Sequence, residues 1–302
     1  VRSQDQVDAV VKYFKEQKID AIFMPHCNFG TESAAGMIGK KLNIPVLLWG
    51  PRDGSPLPDG SRLRDTMCGL FATSKVLSKL KVPFSYIENC SVEDQKFEEG
   101  MNKFIRTASV VKTMRNMRIG QIGSRIDFFW CTIVNENELL DKFGIQVEPI
   151  DIVEFINNVK DRAQKNKKEY SHELIDIKKW LIPGEKNLEE HLIRGLALRD
   201  ELVGLVKDRN LDALSVQTIN SIPRELGPGM GLGYCLAQDE ISLAYESDLH
   251  GAISLALLKS AAKVPQPCFF PDIVSRHPEN DNAVLLWHGA APIKLKHPDC
   301  KT

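Results

Sequence analysis

Residues 21–49 read AIFMPHCNFGTESAAGMIGKKLNIPVLLW, and this stretch decides the fold class. It opens with a short apolar run that ends at Pro25, and it closes with a second apolar run that ends at Trp49. Short apolar runs of this kind are typical of strands buried in a parallel sheet. Between them, Thr31 is a candidate N-cap for a helix that reaches about Leu42. The stretch therefore predicts one strand–helix–strand unit.

The same alternation continues along the rest of the chain. Further strands are predicted at 84–87, 117–122, 145–150, 211–216, 241–244, 267–270 and 283–287, with helical periodicity between most of them. A polar segment from Lys160 to Lys186 predicts a helical connector to a long helix, Leu188 to Arg209. We therefore predict an α/β protein with doubly wound, mostly parallel sheets in two successive domains, residues 1–160 and 161–302.

The composition excludes several classes of protein. With 302 residues, 43% of them apolar, the chain is long enough for two domains and too apolar to be disordered. Its 39 Lys and Arg balance 40 Asp and Glu, so no basic field is available for nucleic acid. No apolar run approaches the roughly 20 residues of a membrane span. The seven cysteines are scattered, and no signal peptide is visible, so we expect reduced thiols in a cytoplasmic protein.

The most glycine-rich segment is Gly227-Pro228-Gly229-Met230-Gly231-Leu232-Gly233. A dinucleotide-binding fingerprint needs a strand before it and a helix at its third glycine. The preceding residues, SIPREL at 221–226, do not have the pattern of a buried strand. The segment therefore predicts a flexible active-site loop or a plain turn, and it disfavours a nicotinamide cofactor.

Two acids, Glu225 and Asp248, lie on either side of this segment. Converging carboxylates bind hard divalent cations such as Mg²⁺ or Mn²⁺, and they also act as general acid and base. The competing interpretation is a solvated helix residue for Glu225 and a helix N-cap for Asp248. His288 follows the apolar run 284–287, and it is either a third ligand or a core histidine bonded to backbone.

The segment Glu246-Ser247-Asp248-Leu249-His250-Gly251-Ala252, followed by an apolar helix, resembles the acidic turn of the L-fucose isomerase and L-arabinose isomerase superfamily. Other segments resemble that superfamily in the same order along the chain. They are Cys68-Gly69-Leu70-Phe71, the turn from Gly120 to Arg125, Asn135 to Ile145, Pro271-Asp272, and Leu286 to Pro292. The resemblance thus covers most of the chain.

The resemblance implies a metal-dependent aldose–ketose isomerase that acts on a pentose or deoxyhexose through an enediolate, with Mn²⁺ or another divalent cation as cofactor. In that superfamily one glutamate and one aspartate bind the metal and transfer the protons. Asp248 matches the aspartate, and Glu225 corresponds to the glutamate by order and separation. His288 is the candidate that replaces a metal-binding histidine supplied by a later segment in the superfamily. A divalent cation would stabilise the oxygen charge of the enediolate.

Members of the superfamily are longer, so the resemblance also implies that this chain is truncated at both ends and lacks the C-terminal part of the family fold. It implies a homo-oligomer whose sugar site lies near a subunit interface. The residues expected to bind the sugar, by their position at strand ends, are His26, Asn28, Arg52 and Asp272. A non-catalytic sugar-binding relative on the same scaffold is the alternative function, and a nucleotide-dependent oxidoreductase is a more distant one.

Overall fold

Two compact units make up the chain in the computed structural model, which describes residues 1, 3–181 and 188–300. The first unit comprises Val1–Lys112 and the second comprises Thr113–Thr302. The sequence predicted a boundary near residue 160 instead. The difference arises because strands Arg118–Ile122 and Gln146–Ile150 belong to the same sheet as the later strand Ala213–Val216.

Three short parallel strands form the sheet of the first unit. They are β1 Ile22–Pro25, β2 Val46–Trp49 and β3 Phe84–Tyr86, in the order β1-β2-β3. Every residue of the central strand β2 is buried, which explains its uninterrupted apolar sequence. All three strands fall where the apolar runs predicted them.

The helices of this unit cover both faces of its sheet. In the described residues they are α1 Val7–Glu16, α2 Glu32–Leu42, α3 Thr66–Lys79 and α4 Gln95–Met114. On one face, Val11 of α1 and Ile38 of α2 enclose Ile22. On the other face, Phe104 of α4 packs in one cluster with Leu47. Because neighbouring residues of a strand point to opposite faces, this arrangement is doubly wound.

The second unit is built around four parallel strands: β4 Arg118–Ile122, β5 Gln146–Ile150, β6 Ala213–Val216 and β7 Leu243–Ala244, in the order β5-β4-β6-β7. Strand β6 is buried throughout and contributes alternate residues to two clusters. Leu214 and Val216 lie in the larger cluster, and Ala213 lies in the other. The predicted α/β class with parallel sheets is therefore confirmed.

Helices again flank this sheet on both faces. In the described residues they are α5 Glu136–Phe143, α6 Ile152–Lys165, α7 Lys167–Ile177, α8 Leu188–Asp208, α9 Ser221–Leu226, α10 Met230–Gln238 and α11 Leu249–Ala262. The predicted polar connector thus begins within α6 and continues through α7, and its residues 182–186 lie outside the described residues. None of the helices in the described ranges is both long and apolar enough to span a bilayer.

The glycine-rich segment has a packing role, because α10 begins inside it at Met230. A Cβ at Gly229 would come within 2.1 Å of the His191 carbonyl oxygen, and one at Gly233 within 2.3 Å of the Gly195 carbonyl oxygen. His191 and Gly195 belong to α8, so the two backbones approach too closely for any side chain. The expected loop is limited to residues 227–229. Because α9 rather than a strand precedes it, the segment lacks the dinucleotide-binding arrangement.

The last two strands of the described residues form an antiparallel hairpin of β8 Asp272–Arg276 and β9 Val284–Trp287, and every residue of both strands is exposed. The strand predicted at 267–270 is absent, because those described residues have no regular structure. Pro267 is the first of these residues, and Pro271 follows them. Phe270 instead packs on α11, where a Cβ at Gly251 would come within 2.3 Å of its ring.

Candidate active site

The carboxyl ends of β4, β6 and β7 lie side by side at one edge of the second sheet. Gly123 and Ser124 follow β4, Gln217 and Thr218 follow β6, and residues 245–248 follow β7. Ligands of parallel α/β sheets bind outside the carboxyl ends of the strands. This edge is therefore the candidate active site of the second unit.

The turn that follows β7 has an unusual backbone. Glu246 and Ser247 both have a φ of 60°, and among the described residues they are the only adjacent non-glycine residues with positive φ. Left-handed residues of this kind are each disfavoured by about 1–2 kcal/mol and persist only where other contacts hold them. Here the Ser247 N–H donates to the Val216 carbonyl oxygen at 3.1 Å, and the Glu246 N–H donates to Thr218 Oγ1 at 3.3 Å.

Asp248 ends this turn and is the N-cap of α11. Its Oδ1 accepts a hydrogen bond from the Gly251 N–H at 2.9 Å. The N-cap that the sequence left open as an alternative is therefore present. The capping hydrogen bond uses only Oδ1 of the Asp248 carboxylate, and Oδ2 has no hydrogen bond to any described residue. The half-buried carboxylate can thus cap the helix and still present an oxygen to a ligand.

Glu246 is a further candidate for an active-site carboxyl group. The sequence analysis included it in the segment 246–252 but gave it no role of its own. Its side chain is half-buried, and no described residue forms a hydrogen bond or ion pair with its carboxylate. Burial raises the pKa of this carboxyl, and the nearby charges of Asp272 and Asp248 raise it further. The only sequence signal was its place beside Asp248 in a run after a short apolar strand. The structure thus brings the charges of Asp248 and Asp272 near enough to Glu246 to raise its pKa.

His288 approaches the same region from the end of β9. Its ring stacks on Tyr245, the residue before Glu246, with 4.5 Å between ring centroids and 22° between planes. The buried Nδ1 atom has no hydrogen-bond partner among the described residues. Burial lowers the pKa of His288, and the charge of the exposed Asp272 opposes that shift. A neutral imidazole with a free nitrogen can accept a hydrogen bond or bind a metal.

Glu225 has a different environment. It lies on α9, where its carboxylate pairs with Lys160 Nζ at 2.9 Å and Arg224 Nε at 3.8 Å. The hydrogen bond and charge of Lys160 lower the pKa of this exposed carboxyl. Among the described residues no hydrogen bond or ion pair joins Glu225 to Asp248 or His288. The ion pair with Lys160 already satisfies the Glu225 carboxylate. Its predicted catalytic and metal-binding role stays a prediction.

A bound metal ion requires several donor atoms around one point. Across residues 1, 3–181 and 188–300, no group of three or more His, Cys, Asp or Glu side chains is arranged to hold an ion. The predicted set of Glu225, Asp248 and His288 is therefore not gathered into a metal site. Asp248 Oδ2 and His288 Nδ1 are among the atoms of this region that have no hydrogen-bond partner in the described residues, so the two residues supply part of a ligand set.

In the first unit, the predicted sugar-binding residues follow the ends of β1 and β2. His26 is buried, and burial lowers its pKa against the opposing effect of a backbone hydrogen bond with Phe29. His26, Asn28 and Arg64 line a cavity of about 870 Å³ beside β1. Arg52 is exposed, and no described residue pairs with its guanidinium. Arg64 is an additional basic residue that the sequence reasoning did not select.

Asp53 holds the loop that carries these arginines. Its Oδ2 accepts hydrogen bonds from the Thr66 N–H at 3.0 Å and from Thr66 Oγ1 at 2.7 Å, which fixes it to the start of α3. Arg64 Nε lies 3.6 Å from Asp53 Oδ1, and Arg64 Nη2 donates to the Arg52 carbonyl oxygen at 3.2 Å. The loop thus presents Arg52 beside a strand end, while Arg64 is partly neutralised by Asp53.

A parallel α/β sheet with carboxylates at its carboxyl edge is an architecture that binds small molecules. Comparison with known families is more specific. Residues 1–115 match the model of the N-terminal domain of fucose/sulfoquinovose isomerases, and this match ends close to the end of the first unit. The predicted resemblance is thereby confirmed: residues 1–115 are similar to the N-terminal domain of this family.

Individual relatives extend the similarity to nearly the whole chain. The sulfoquinovose isomerases of Priestia aryabhattai and Priestia megaterium are each 25% identical over 302 residues, which covers 99% of this chain and 65% of the relative. The sulfoquinovose isomerase of Alkalicoccus urumqiensis is 25% identical over 294 residues, covering 96% and 63%. The chain thus spans a little less than two thirds of the length of these relatives.

Proposed function

We propose that the protein is an aldose–ketose isomerase, an intramolecular oxidoreductase that acts on a sugar. The observation that carries the proposal is the strained turn at Glu246-Ser247-Asp248, which presents two carboxyl groups at the carboxyl edge of a parallel sheet. Its support is the similarity of nearly the whole chain to sulfoquinovose isomerases. This turn contains two residues in the left-handed conformation, and it leaves one carboxylate oxygen without a hydrogen bond. Ligand binding explains these two features better than the stability of the fold does.

Isomerisation moves a proton between two neighbouring carbons of the sugar. A carboxylate removes the proton from the carbon beside the carbonyl, which produces an enediolate, and the proton returns to the other carbon. Asp248 is our candidate for this transfer, because its Oδ2 is free while Oδ1 is fixed by the Gly251 N–H. A second carboxyl must move the hydroxyl proton. The geometry favours Glu246 for this role, whereas the order of the sequence favours Glu225.

For the substrate, we propose a sulfonated hexose such as sulfoquinovose. The names of the relatives support this choice. A sulfonate is an anion, and guanidinium groups recognise such groups through paired hydrogen bonds. In the first unit, the candidates for binding the sulfonate are the Arg52 guanidinium, which has no ion pair with any described residue, the His26 imidazole and the Asn28 amide. Asp272 is the candidate for a sugar hydroxyl in the second unit. A pentose or deoxyhexose is the alternative substrate.

We also propose dependence on Mn²⁺ or another divalent cation, on the strength of the family resemblance. When bound, such an ion supplies positive charge that stabilises the enediolate oxygens. Asp248 and His288 are the described residues that would hold it. They do not make a complete ligand set, so no step of the mechanism is assigned to the ion. A homo-oligomer in the cytoplasm, with the sugar site near a subunit interface, completes the proposal.

The test is sugar conversion by metal-stripped protein with and without added Mn²⁺. Sulfoquinovose, L-fucose and L-arabinose are supplied separately, and the ketose product is measured. We expect sulfoquinovose to be converted, and only with metal present. Conversion without metal would overturn the metal dependence, and preference for L-fucose or L-arabinose would overturn the substrate. Saturable sugar binding without conversion by any of the three would replace the isomerase with the non-catalytic sugar-binding alternative.

A further inference from the structure

We propose that Ser247 and Gln217 are positioning residues that hold Asp248 in place through the carbonyl oxygen of Ser124. The proposal rests on the proposed catalytic role of Asp248, and it adds two residues that would not touch the sugar. It is carried by a buried hydrogen-bond network that joins the carboxyl ends of three neighbouring strands.

The Ser124 carbonyl oxygen is the centre of this network. Ser247 Oγ donates to it at 3.1 Å, and Gln217 Nε2 donates to it at 2.8 Å. A carbonyl oxygen has two lone pairs, so these two donors satisfy it completely. Ser247 is 1% exposed and Gln217 is 5% exposed, which keeps water from replacing either donor. The residues that follow β4, β6 and β7 are therefore linked at one atom.

Gln217 extends the link in a second direction. Its backbone N–H donates to the Ile122 carbonyl oxygen at 3.0 Å, and its Oε1 lies 3.5 Å from the Ser221 N–H at the start of α9. A Cβ at Gly123 would come within 3.3 Å of the Gln217 Cβ, so glycine at this position leaves room for the close approach of the two residues. One side chain thus connects the end of β4 with the helix that carries Glu225.

Ser247 transmits the constraint to Asp248, because the two residues are adjacent. The Asp248 N–H donates to the Tyr245 carbonyl oxygen at 2.9 Å, which closes the turn around the two left-handed residues. Without the hydroxyl anchor, Ser247 can relax toward the right-handed region and rotate the following carboxylate. A displacement of about 1 Å is enough to lower a rate by roughly 100-fold. The buried hydroxyl therefore acts on the reaction through the orientation of Asp248.

The first experiment compares Ser247→Ala with Ser254→Ala in the full chain. Ser254→Ala is a matched control, because Ser254 Oγ donates to the His250 carbonyl oxygen at 2.8 Å on the exposed side of the same helix. We expect Ser247→Ala to lower kcat by at least about tenfold while KM changes by less than about threefold. Hydrogen exchange at the Gly251 N–H, which Asp248 caps, should quicken at least about fivefold. The control should alter neither.

Two further variants separate positioning from general loosening. Gln217→Met keeps the volume of the side chain and removes its donor, and we expect the same loss in kcat with an unchanged KM. In an Asp248→Asn background, Ser247→Ala should have no further effect on the residual rate, because it acts through the carboxylate that is already gone. An additive loss in that background would show a structural role instead and overturn the proposal.

The outcomes also distinguish this proposal from the proposed function. If the unaltered protein isomerises a sugar and Ser247→Ala retains its kcat, the positioning role is wrong and the isomerase stands. If the unaltered protein converts none of the sugars, the proposed function fails, and the positioning role fails with it. If Gly251 exchange quickens while kcat is kept, the network is a helix-cap anchor only, which again overturns the positioning role.

Discussion

Two acid-bearing segments of the second unit differ in almost every physical respect. The turn at 245–248 is held by backbone and hydroxyl hydrogen bonds, it contains two left-handed residues, and its carboxyl groups form no ion pair with described residues. Helix α9 is short and ordinary, and its Glu225 is exposed and paired with Lys160. The two segments lie on either side of the same glycine-rich segment. The sequence alone therefore gives no reason to prefer the acid of one over the acid of the other.

The difference shows that the surroundings of an acid decide its chemistry. An exposed carboxylate that is already paired with a lysine is a weak proton acceptor for a substrate, because the lysine stabilises its charged form. A half-buried carboxyl without such a partner is available to exchange a proton or bind a ligand. On this basis Asp248 and Glu246 are stronger candidates than Glu225.

The largest expected effect belongs to Asp248. Asp248→Asn should lower kcat by roughly 100-fold or more, because the amide cannot accept the proton from carbon. Asparagine is itself a good N-cap, so the free energy of unfolding should change by less than about 1 kcal/mol. Steady-state kinetics together with urea unfolding check both expectations, with Ser254→Ala as the control. Turnover at the original rate would show that Asp248 is a helix cap and nothing more.

A smaller effect separates the two glutamates directly. Glu246→Gln should lower kcat by at least about tenfold, whereas Glu225→Gln should change it by less than about threefold, because only Glu246 lies on the turn with Asp248. The two variants make the same chemical change, so each is the control for the other under identical assay conditions. The reverse order of effects would establish Glu225 as the second carboxyl and reject the choice based on geometry.

The smallest expected effect is a difference in pH-dependent stability, measured by urea unfolding of metal-free protein. Burial raises the pKa of Glu246, so the folded protein keeps this proton to higher pH than the unfolded chain. The contribution of Glu246 to stability therefore decreases as pH rises through its folded pKa. Lys160 lowers the pKa of Glu225, so its contribution is present above the unfolded pKa and is lost as pH falls through the folded pKa.

The glutamine variants turn these opposite signs into a measurement. At pH 7, Glu246→Gln should raise the free energy of unfolding relative to the unaltered protein, and Glu225→Gln should lower it. The difference for Glu246 should shrink as pH falls below the raised folded pKa of Glu246, whereas the difference for Glu225 should shrink only as pH falls below its unfolded pKa. If both variants shift stability in the same direction at pH 7, the contrast in environment between the two segments is wrong.

Much of the fold could be predicted because strands and helices depend on local patterns. The apolar runs around Phe23, Leu47 and Ile119 became strands. In β2 every residue is buried, and such burial requires an uninterrupted apolar sequence. The run at 267–270 did not, because Pro267 cannot donate a hydrogen bond to a sheet ladder and Phe270 packs on α11. The division between units also differed from the expectation, because strand pairing brought β4 and β5 to β6.

The candidate site was less accessible to sequence reasoning. Asp248 was selected because it follows a strand and begins a helix, and both features are local. The contrast between Glu246 and Glu225 was hidden, because it depends on Lys160, Asp272 and burial, which involve distant parts of the chain. The network around Ser124 was hidden for the same reason, since Ser247 is 123 residues away from it.

The sequence by itself determined the α/β class, the parallel strands, the resemblance to the fucose isomerase superfamily and the position of Asp248. Each of these follows from short segments of the sequence, within which periodicity, capping and chain reversal act between residues a few positions apart. Only the tertiary structure decided that Glu225 is paired with Lys160, that glycines 229 and 233 serve helix packing, and that three strand ends meet at one carbonyl oxygen. Electrostatic interactions and close packing act between residues that are near in space. These residues are distant in the sequence, and only the folding of the chain brings them together.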